Sequence, residues 1–403
     1  MNRWLILVLG MIANLAQGVV YAASVLRDPI MGDLLGMTDP AAVKSSWAVI
    51  FTMCCFFLPL GMLAAGWLEK FSHRLPILVG ALLYGMGVFV SGFVTNFYVL
   101  CITFGFCLSF GSGFVYGPIV ANSVRWFPDK KGLASGLVVG ALGLGPVWIA
   151  LLCATLLAHG MGITQVLSIL GTICFMAISA ALLIPAAPPH QQPPPQGKAA
   201  TRNDGKTDDL VWTQTIRTSK FWLLFLLFFL GTLPGMMVVS SASSIFQEIG
   251  KFTPLHAANL VAVLAVANAL GRFLWGTISD YIGRINALTL MYILSASAMI
   301  TLILPAASHS AVLFTVIIVI GTTYGGYLGL FPSFCAESFG LKNMVTNYAM
   351  LFAAFSAASL VGPRIYASCD DSTAAFCIAA GLTFIGCVVT LLYRSRQSSK
   401  RDG

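Results

Sequence analysis

The stretch LASGLVVGALGLGPVWIALLCATLLA, residues 133–158, contains no charged side chain and is flanked by Lys131 and His159. In a helix, about 20 apolar residues cross a hydrocarbon core roughly 30 Å thick. Similar stretches recur along the whole chain, in which 58% of residues are hydrophobic and 9% are charged. This composition excludes a soluble globular fold and predicts a helical membrane protein.

Breaks at glycines, prolines and charged clusters divide the chain into twelve predicted transmembrane helices. The first follows Arg3, and its length together with eleven similar stretches after it indicates a membrane helix rather than a signal peptide. The predicted ranges are 4–24, 47–67, 76–95, 97–122, 133–158, 163–184, 220–246, 255–279, 286–305, 311–335, 344–366 and 372–393.

The longest polar stretch, 185–219, separates the sixth helix from the seventh and is too polar to enter a bilayer. Gly66–Arg74 in the first part is similar to Gly276–Arg284, 210 positions later, and Gly113–Gly117 is similar to Gly321–Gly325, 208 positions later. Two matches at nearly one offset predict a duplication whose two parts rock about a midplane site. The predicted domains are 1–184 (first six-helix half), 185–219 (cytoplasmic linker), 220–393 (second six-helix half) and 394–403 (cytoplasmic tail).

The positive charges lie mainly on one side of the predicted helices. Seventeen Lys and Arg fall in the termini and one alternating set of connections, four fall in the other set, and Arg272 lies inside a helix. The positive-inside rule therefore places both termini in the cytoplasm. The net charge of +8 indicates membrane orientation rather than nucleic-acid binding. The ten cysteines form no CxxC pair and predict small apolar side chains rather than a metal site.

Arg272 is a cation deep in the predicted eighth helix. It precedes Asp280 by eight positions, which places it about 12 Å from the cytoplasmic helix end. An arginine near the bilayer centre costs at least about 2.5 kcal/mol and normally faces a cavity or an anion. No acidic residue of the predicted helices lies at this depth. A substrate carboxylate, which a guanidinium binds through two parallel hydrogen bonds, is the predicted partner, and a structural arginine bonded to backbone carbonyls is the alternative.

Polar side chains on two helices are predicted to share this cavity. Asn14, Gln17 and Tyr21 recur at helical spacing on the first helix and form one polar stripe, which in lipid should face the interior. Asn268 precedes Arg272 by one turn and is predicted to orient the guanidinium.

Three tyrosines are further candidates for the site. Tyr116 and Tyr324 take equivalent positions in the two halves, and Tyr327 lies one turn beyond Tyr324. A tyrosine offers an apolar ring and a hydroxyl that donates to a carboxylate, whereas helix packing is the alternative role.

Two sets of motifs resemble a known family. Gly276–Arg284, with Asp280, resembles the loop motif of the major facilitator superfamily, and the first-half copy departs from it at Lys70 and His73. Tyr116–Gly136 and the residues around Arg272 resemble the bacterial oxalate:formate antiporter and monocarboxylate transporter group. The resemblance implies an all-α membrane protein of twelve transmembrane helices in two pseudo-symmetric six-helix halves, in a bacterial cytoplasmic (inner) membrane. We expect a monomer with no cofactor and no nucleic-acid partner.

The resemblance also bears on the substrate. Oxalate transport in the antiporter is associated with two buried cations, the arginine and a lysine in the eleventh helix, and here Phe355 takes the place of that lysine. One cation implies one negative charge, because a second carboxylate would lie unpaired at low dielectric. We therefore predict transport of a monocarboxylate such as lactate, pyruvate or formate, with an oxalate:formate-type antiporter as the alternative.

Gating and coupling residues are also predicted. Arg125, Asp129, Asp280 and Arg284 are candidates for clamping helix ends in one transport state. Animal monocarboxylate transporters resemble the chain but carry an aspartate where Asn268 stands, and Asn268 does not titrate. Proton symport would therefore require another carrier, and the sequence leaves symport and exchange open. The candidate proton carriers, near the outer helix ends, are Glu248 and His256.

Two other classes of protein are less consistent with the sequence. A membrane sensor built on a transporter fold should carry a folded signalling domain, for which the linker and the tail are too short. An intramembrane enzyme should show paired acids, a His/Cys metal set or a serine beside a base, and no predicted helix shows one.

Overall fold

The computed structural model describes residues 2–19, 23–187, 209–369 and 371–399, which fold into helices joined by short connections. Shorter helical segments, Ala23–Pro29, Ile30–Leu34, Trp212–Thr215 and Pro305–Ser308, lie between the long ones. The long helices are α1 (Arg3–Leu15), α2 (Pro40–Leu68), α3 (Arg74–Ser91), α4 (Phe97–Trp126), α5 (Lys131–Ala158), α6 (Ile163–Leu183), α7 (Ser219–Gly250), α8 (Pro254–Ile282), α9 (Arg284–Ile303), α10 (Ser310–Phe339), α11 (Met344–Ser368) and α12 (Ser372–Ser399).

Within the described ranges, the eleven helices α2 to α12 contain stretches long and apolar enough to cross a membrane. The predicted all-α membrane fold is confirmed. Several helices extend beyond their predicted ends, and the start of α2 shows why. Asp39 accepts hydrogen bonds from the backbone N–H groups of Ala41 and Ala42, and Pro40 occupies the first helical position, so the helix starts seven residues before the predicted position 47.

The first predicted helix, 4–24, differs in the structure. Helix α1 ends at Leu15, and its 13 residues are too few to span a membrane alone. Two neighbouring helices satisfy carbonyl groups at this end: the Trp148 indole donates to Leu15 at 3.0 Å, and the Cys174 thiol lies 3.2 Å from the Ala16 carbonyl oxygen. Non-helical backbone is tolerated inside a membrane where other parts of the protein bury it. The length of an apolar stretch alone does not show where such a break occurs.

The two sets of six helices, α1–α6 and α7–α12, meet mainly where α5 packs on α8 and α2 packs on α11. Gly276 in α8 lies against the backbone of Gly132 in α5, and Gly66 in α2 lies against Thr346 in α11. The predicted duplication aligns positions 66 and 276 with each other. Helices α2, α4, α8 and α10 all finish at this end of the bundle, which we call the basic end because it carries the basic connections.

The described ends of the predicted linker dock at the basic end. Asn122 in α4 donates to the Pro185 carbonyl and accepts from the Ala187 N–H, and Asn347 in α11 donates to the Leu210 carbonyl. Residues 188–208 of the linker lie outside the described range.

Candidate functional site

Arg272 lies in α8, ten residues before Ile282 and therefore about 15 Å from the basic end. The residue is 5% exposed. Its Nε donates to Asn268 Oδ1 at 3.3 Å, and its Nη1 donates to the Val139 carbonyl of α5 at 3.0 Å. Among the described residues, no carboxylate lies within 4 Å of its nitrogens. A guanidinium has five N–H donors, so three remain available to a ligand.

Two residues of the predicted polar stripe, Asn14 in α1 and Gln17 in the turn after it, lie in the protein interior. Asn14 donates to the Val138 carbonyl at 3.0 Å, Gln17 donates to Asn14 Oδ1 at 2.7 Å, and the Ser112 hydroxyl donates to Gln17 Oε1 at 2.7 Å. These bonds join α1 to α5 and α4. Both side-chain amides are buried, and Asn14 bonds to the carbonyl next to the one that holds Arg272. Tyr21 lies outside the described residues.

Tyr116 belongs to an aromatic group at the interface of the two sets of helices. Its hydroxyl lies 3.2 Å from that of Tyr348 in α11, and both residues are 1% exposed. The Phe352 ring lies 5.6 Å from each tyrosine ring and 4.9 Å from Phe355. Phe355 therefore adds an apolar ring to this group.

The other two predicted tyrosines pack within the second set of helices. Tyr324 is 5% exposed, and its hydroxyl lies 2.8 Å from the Met236 sulfur of α7. Tyr327 is fully buried, with its ring 5.3 Å from the Tyr292 ring of α9 and against Gly231 of α7. The missing side chain at Gly231 makes room for this ring between α7 and α9. The structure therefore packs Tyr327 between α7 and α9.

Asp280 connects the two sets of helices at the basic end. Its two carboxylate oxygens accept hydrogen bonds from the backbone N–H groups of Gly132 at 2.9 Å and Leu133 at 2.8 Å, in the first turn of α5. A carboxylate at a helix N-terminus satisfies free N–H groups and complements the helix dipole. Arg284 holds Asp280 in place at 2.7 Å and also pairs with Glu337 of α10 at 2.7 Å.

Arg125 makes the corresponding connection from the first set of helices. It pairs with Glu69 at 2.6 Å and donates to the carbonyl oxygens of Leu341 at 3.1 Å and Lys342 at 3.2 Å, just before α11. Burial raises the pKa of the Glu69 carboxyl, but the nearby His73 imidazole and the Arg125 charge outweigh burial and leave the pKa below its ordinary value.

Asp129 has a different position from Arg125. It pairs with Arg3 at 2.9 Å, and both side chains are about two-fifths exposed. The pair with Arg3 lies within the first set of helices, but Asp129 also lines a pocket at the basic end together with Asp280, Arg284 and Glu337 of the second set.

The candidate proton carriers lie at the opposite end from Asp280. His256 is exposed in the first turn of α8, 16 residues and therefore about 24 Å along the helix from Arg272. Its ring bonds with the Thr253 hydroxyl at 3.0 Å. Glu248 is exposed near the end of α7 and accepts from Ser372 at 2.8 Å. The structure thus separates both residues from the arginine.

The sequence profile described as Major Facilitator Superfamily matches residues 6–363, most of the chain. The chain belongs to this superfamily. The MFS-type transporter YhjX of Escherichia coli (strain K12) is 29% identical over 361 residues, which cover 89% of this chain and 86% of YhjX. The oxalate:formate antiporter of Oxalobacter formigenes is 27% identical over 394 residues, which cover 95% and 90% of the two chains. The human organic anion transporter MFSD10 has the same fold, with a TM-score of 0.74 and 13% identity across 97% of this chain and 100% of MFSD10.

Two groups that contact the candidate site residues were not predicted from the sequence, the Tyr348 side chain and the Val139 carbonyl. Tyr348 lies seven residues before Phe355 on α11, a spacing that places both on one helix face and would have identified it. The Val139 carbonyl, which holds Arg272, leaves no signal in the sequence because every residue carries the same group.

Proposed function

We propose that this superfamily transporter carries a small monocarboxylate across the bacterial cytoplasmic membrane by alternating access. The observation that supports this most directly is Arg272, a buried cation at mid-helix with free N–H donors and no carboxylate partner among the described residues. A substrate carboxylate completes the pair through charge-assisted hydrogen bonds. The relative named as an oxalate:formate antiporter supports small carboxylates as the substrate class.

The apolar surroundings of Phe355 favour a substrate with a single negative charge. The Phe355 ring lies 4.9 Å from the Phe352 ring and 6.5 Å from the Phe228 ring, and Phe228 stacks on Phe331 at 4.2 Å. A second carboxylate placed against these rings would lose its hydration without gaining a cation. A monocarboxylate instead sets its apolar part against the aromatic rings.

The contacts of Asp280 and Arg125 support a carrier that is closed at the basic end in this conformation. Each bridges the two sets of helices through backbone groups of the opposite set. With the basic end in the cytoplasm, as the loop charges predict, substrate reaches Arg272 from outside. Release inside then requires both contacts to break.

Uptake into proteoliposomes tests the proposal. Purified protein is reconstituted and offered labelled lactate, formate or oxalate, either with an imposed inward proton gradient or with unlabelled acid inside. We expect lactate or formate to accumulate in preference to oxalate. Accumulation driven by the gradient alone identifies proton symport, and accumulation only in counter-loaded vesicles identifies exchange.

Two results would contradict the proposal. Preferred uptake of oxalate would show that Phe355 does not limit the substrate to one charge and would favour an oxalate:formate-type antiporter. If protein that a thermal-unfolding assay shows to be folded takes up none of the three acids, small carboxylates are rejected as the substrate class.

A further inference from the structure

We infer that Gly143 of α5 is the positioning residue that sets the guanidinium of Arg272 in its binding orientation. The inference rests on the proposed function, in which Arg272 binds the substrate, and it assigns a specificity-determining position in the opposite set of helices.

The geometry around Gly143 carries the inference. A Cβ atom added at Gly143 would lie 3.1 Å from Arg272 Cζ, 3.2 Å from Arg272 Nε and 3.3 Å from the Ala269 Cα of the α8 backbone. Such distances are shorter than ordinary carbon contacts of 3.5 to 4.0 Å, so the planar group would have to move. The absence of a side chain at Gly143 therefore leaves a flat surface on α5 against which the guanidinium lies.

The hydrogen bonds of Arg272 show what this surface achieves. Val139 lies four residues before Gly143 and so occupies the same face of α5, and its carbonyl accepts from Arg272 Nη1 at 3.0 Å. Asn268 accepts from Nε at 3.3 Å. These two hydrogen bonds fix the guanidinium plane, and the second N–H of Nη1 and both N–H groups of Nη2 remain for the substrate carboxylate. Position 143 thus orients a cation that belongs to the other set of helices.

Gly140 on the same helix provides a matched control. A Cβ atom at Gly140 would lie 3.3 Å from the Ala269 carbonyl oxygen, which is similarly close, but 3.9 Å from Arg272 Cβ, which is an ordinary contact. Both positions pack against α8, and only the one at 143 reaches the guanidinium. A general effect of crowding between α5 and α8 should therefore appear in both variants.

A chemical test needs no substrate. Full-length Gly143→Ala, Gly140→Ala and unsubstituted protein are treated with phenylglyoxal, an arginine reagent, and the modification rate of Arg272 is followed by peptide mass spectrometry. We expect Gly143→Ala to raise that rate severalfold, because the shifted guanidinium has a weaker hydrogen bond to the Val139 carbonyl, and Gly140→Ala to leave it within about twofold. Equal rates in the two variants would overturn the inference.

A transport test follows in proteoliposomes with labelled lactate. A displacement of a few tenths of an ångström should raise the KM of Gly143→Ala by roughly tenfold with Vmax within about twofold, since the substrate contact is misplaced and the helices still move. Gly140→Ala should keep the KM of the unsubstituted protein. If lactate, formate and oxalate are not carried at all, the proposed function fails, and the phenylglyoxal rates still decide the role of Gly143.

If Gly143→Ala does not fold, the same substitution in an Arg272→Ala background decides the question. Removal of the guanidinium removes the two closest contacts of the new methyl group. A folded double variant would assign the conflict to Arg272, as expected, and an unfolded one would show that Gly143 serves helix packing alone.

Discussion

The hydroxyl groups of Tyr116 and Tyr348 lie 3.2 Å apart and join α4 to α11 across the interface between the two sets of helices. Only one of the two phenols donates in this pair, so the proton of the other remains available to a ligand. The pair therefore combines a hydrogen bond between α4 and α11 with one free hydroxyl donor.

Loss of either hydroxyl should weaken this bond. We expect Tyr116→Phe and Tyr348→Phe each to lower the free energy of unfolding by about 1 kcal/mol, the net value of a hydrogen bond, and the double variant to cost little more than either one. Thermal unfolding of purified protein measures all three. Fully additive losses would mean that the two hydroxyls act independently.

Substitution of Arg272 should test its fork geometry separately from its charge. Arg272→Lys keeps the charge but loses the planar donor pair, and we expect uptake of the preferred acid to fall at least tenfold, about 1.4 kcal/mol or more. Phe355→Leu, an apolar change in the same aromatic group, is the control and should retain most uptake. Normal transport by Arg272→Lys would rule out bidentate binding.

Position 355 should control the charge of the substrate. We expect Phe355→Lys to raise uptake of oxalate relative to lactate, because a second cation would pair with the second carboxylate. The ratio of the two initial uptake rates is the measurement. An unchanged ratio in a folded variant would show that Phe355 lies outside the substrate's reach.

Asp280 should stabilise the conformation closed at the basic end. Asp280→Asn removes the charged cap of α5 and one of the two carboxylates that pair with Arg284. The substitution should therefore destabilise the closed conformation by about 3 kcal/mol. Hydrogen exchange of the first turn of α5, measured by mass spectrometry, should accelerate strongly. Asp33→Asn, at an exposed position near the other end, is the matched acid-to-amide control. Slow exchange in both variants would show that the cap contributes little.

Protonation of Glu69 at low pH should destabilise the conformation that is closed at the basic end. The pKa of its carboxyl lies below the ordinary value of 4.5, so its pair with Arg125 stabilises the fold above that pH and loses this contribution as the pH falls through the lowered pKa. We expect the stabilisation by Glu69 to stay constant between about pH 6 and 8 and to be lost as the pH falls below 4.5. In Glu69→Gln this part of the acid dependence should be missing. Identical acid profiles would contradict the assignment.

The sequence predicted where the membrane helices lie, but it did not predict which neighbour each helix face contacts. Apolar length identified the membrane helices, and the depth of Arg272 followed from its spacing to Asp280. Hydropathy does not report which face of a helix meets which neighbour, so it could not show that Tyr324 and Tyr327 pack against Gly235 and Gly231 of α7. The end of α1 at Leu15 depends on Trp148 and Cys174, which are distant in sequence.

Both connections at the basic end bind main-chain groups of the opposite set of helices, and this has a consequence for genetics. Asp280 accepts from the N–H groups of Gly132 and Leu133, and Arg125 donates to the carbonyl oxygens of Leu341 and Lys342. No codon change at those four positions can supply a complementary group, and a charge-reversed pair at positions 69 and 125 would set an acid, which cannot donate, before the two carbonyls. Revertants of an Asp280 or an Arg125 lesion should therefore map to residues that shift the balance of conformations.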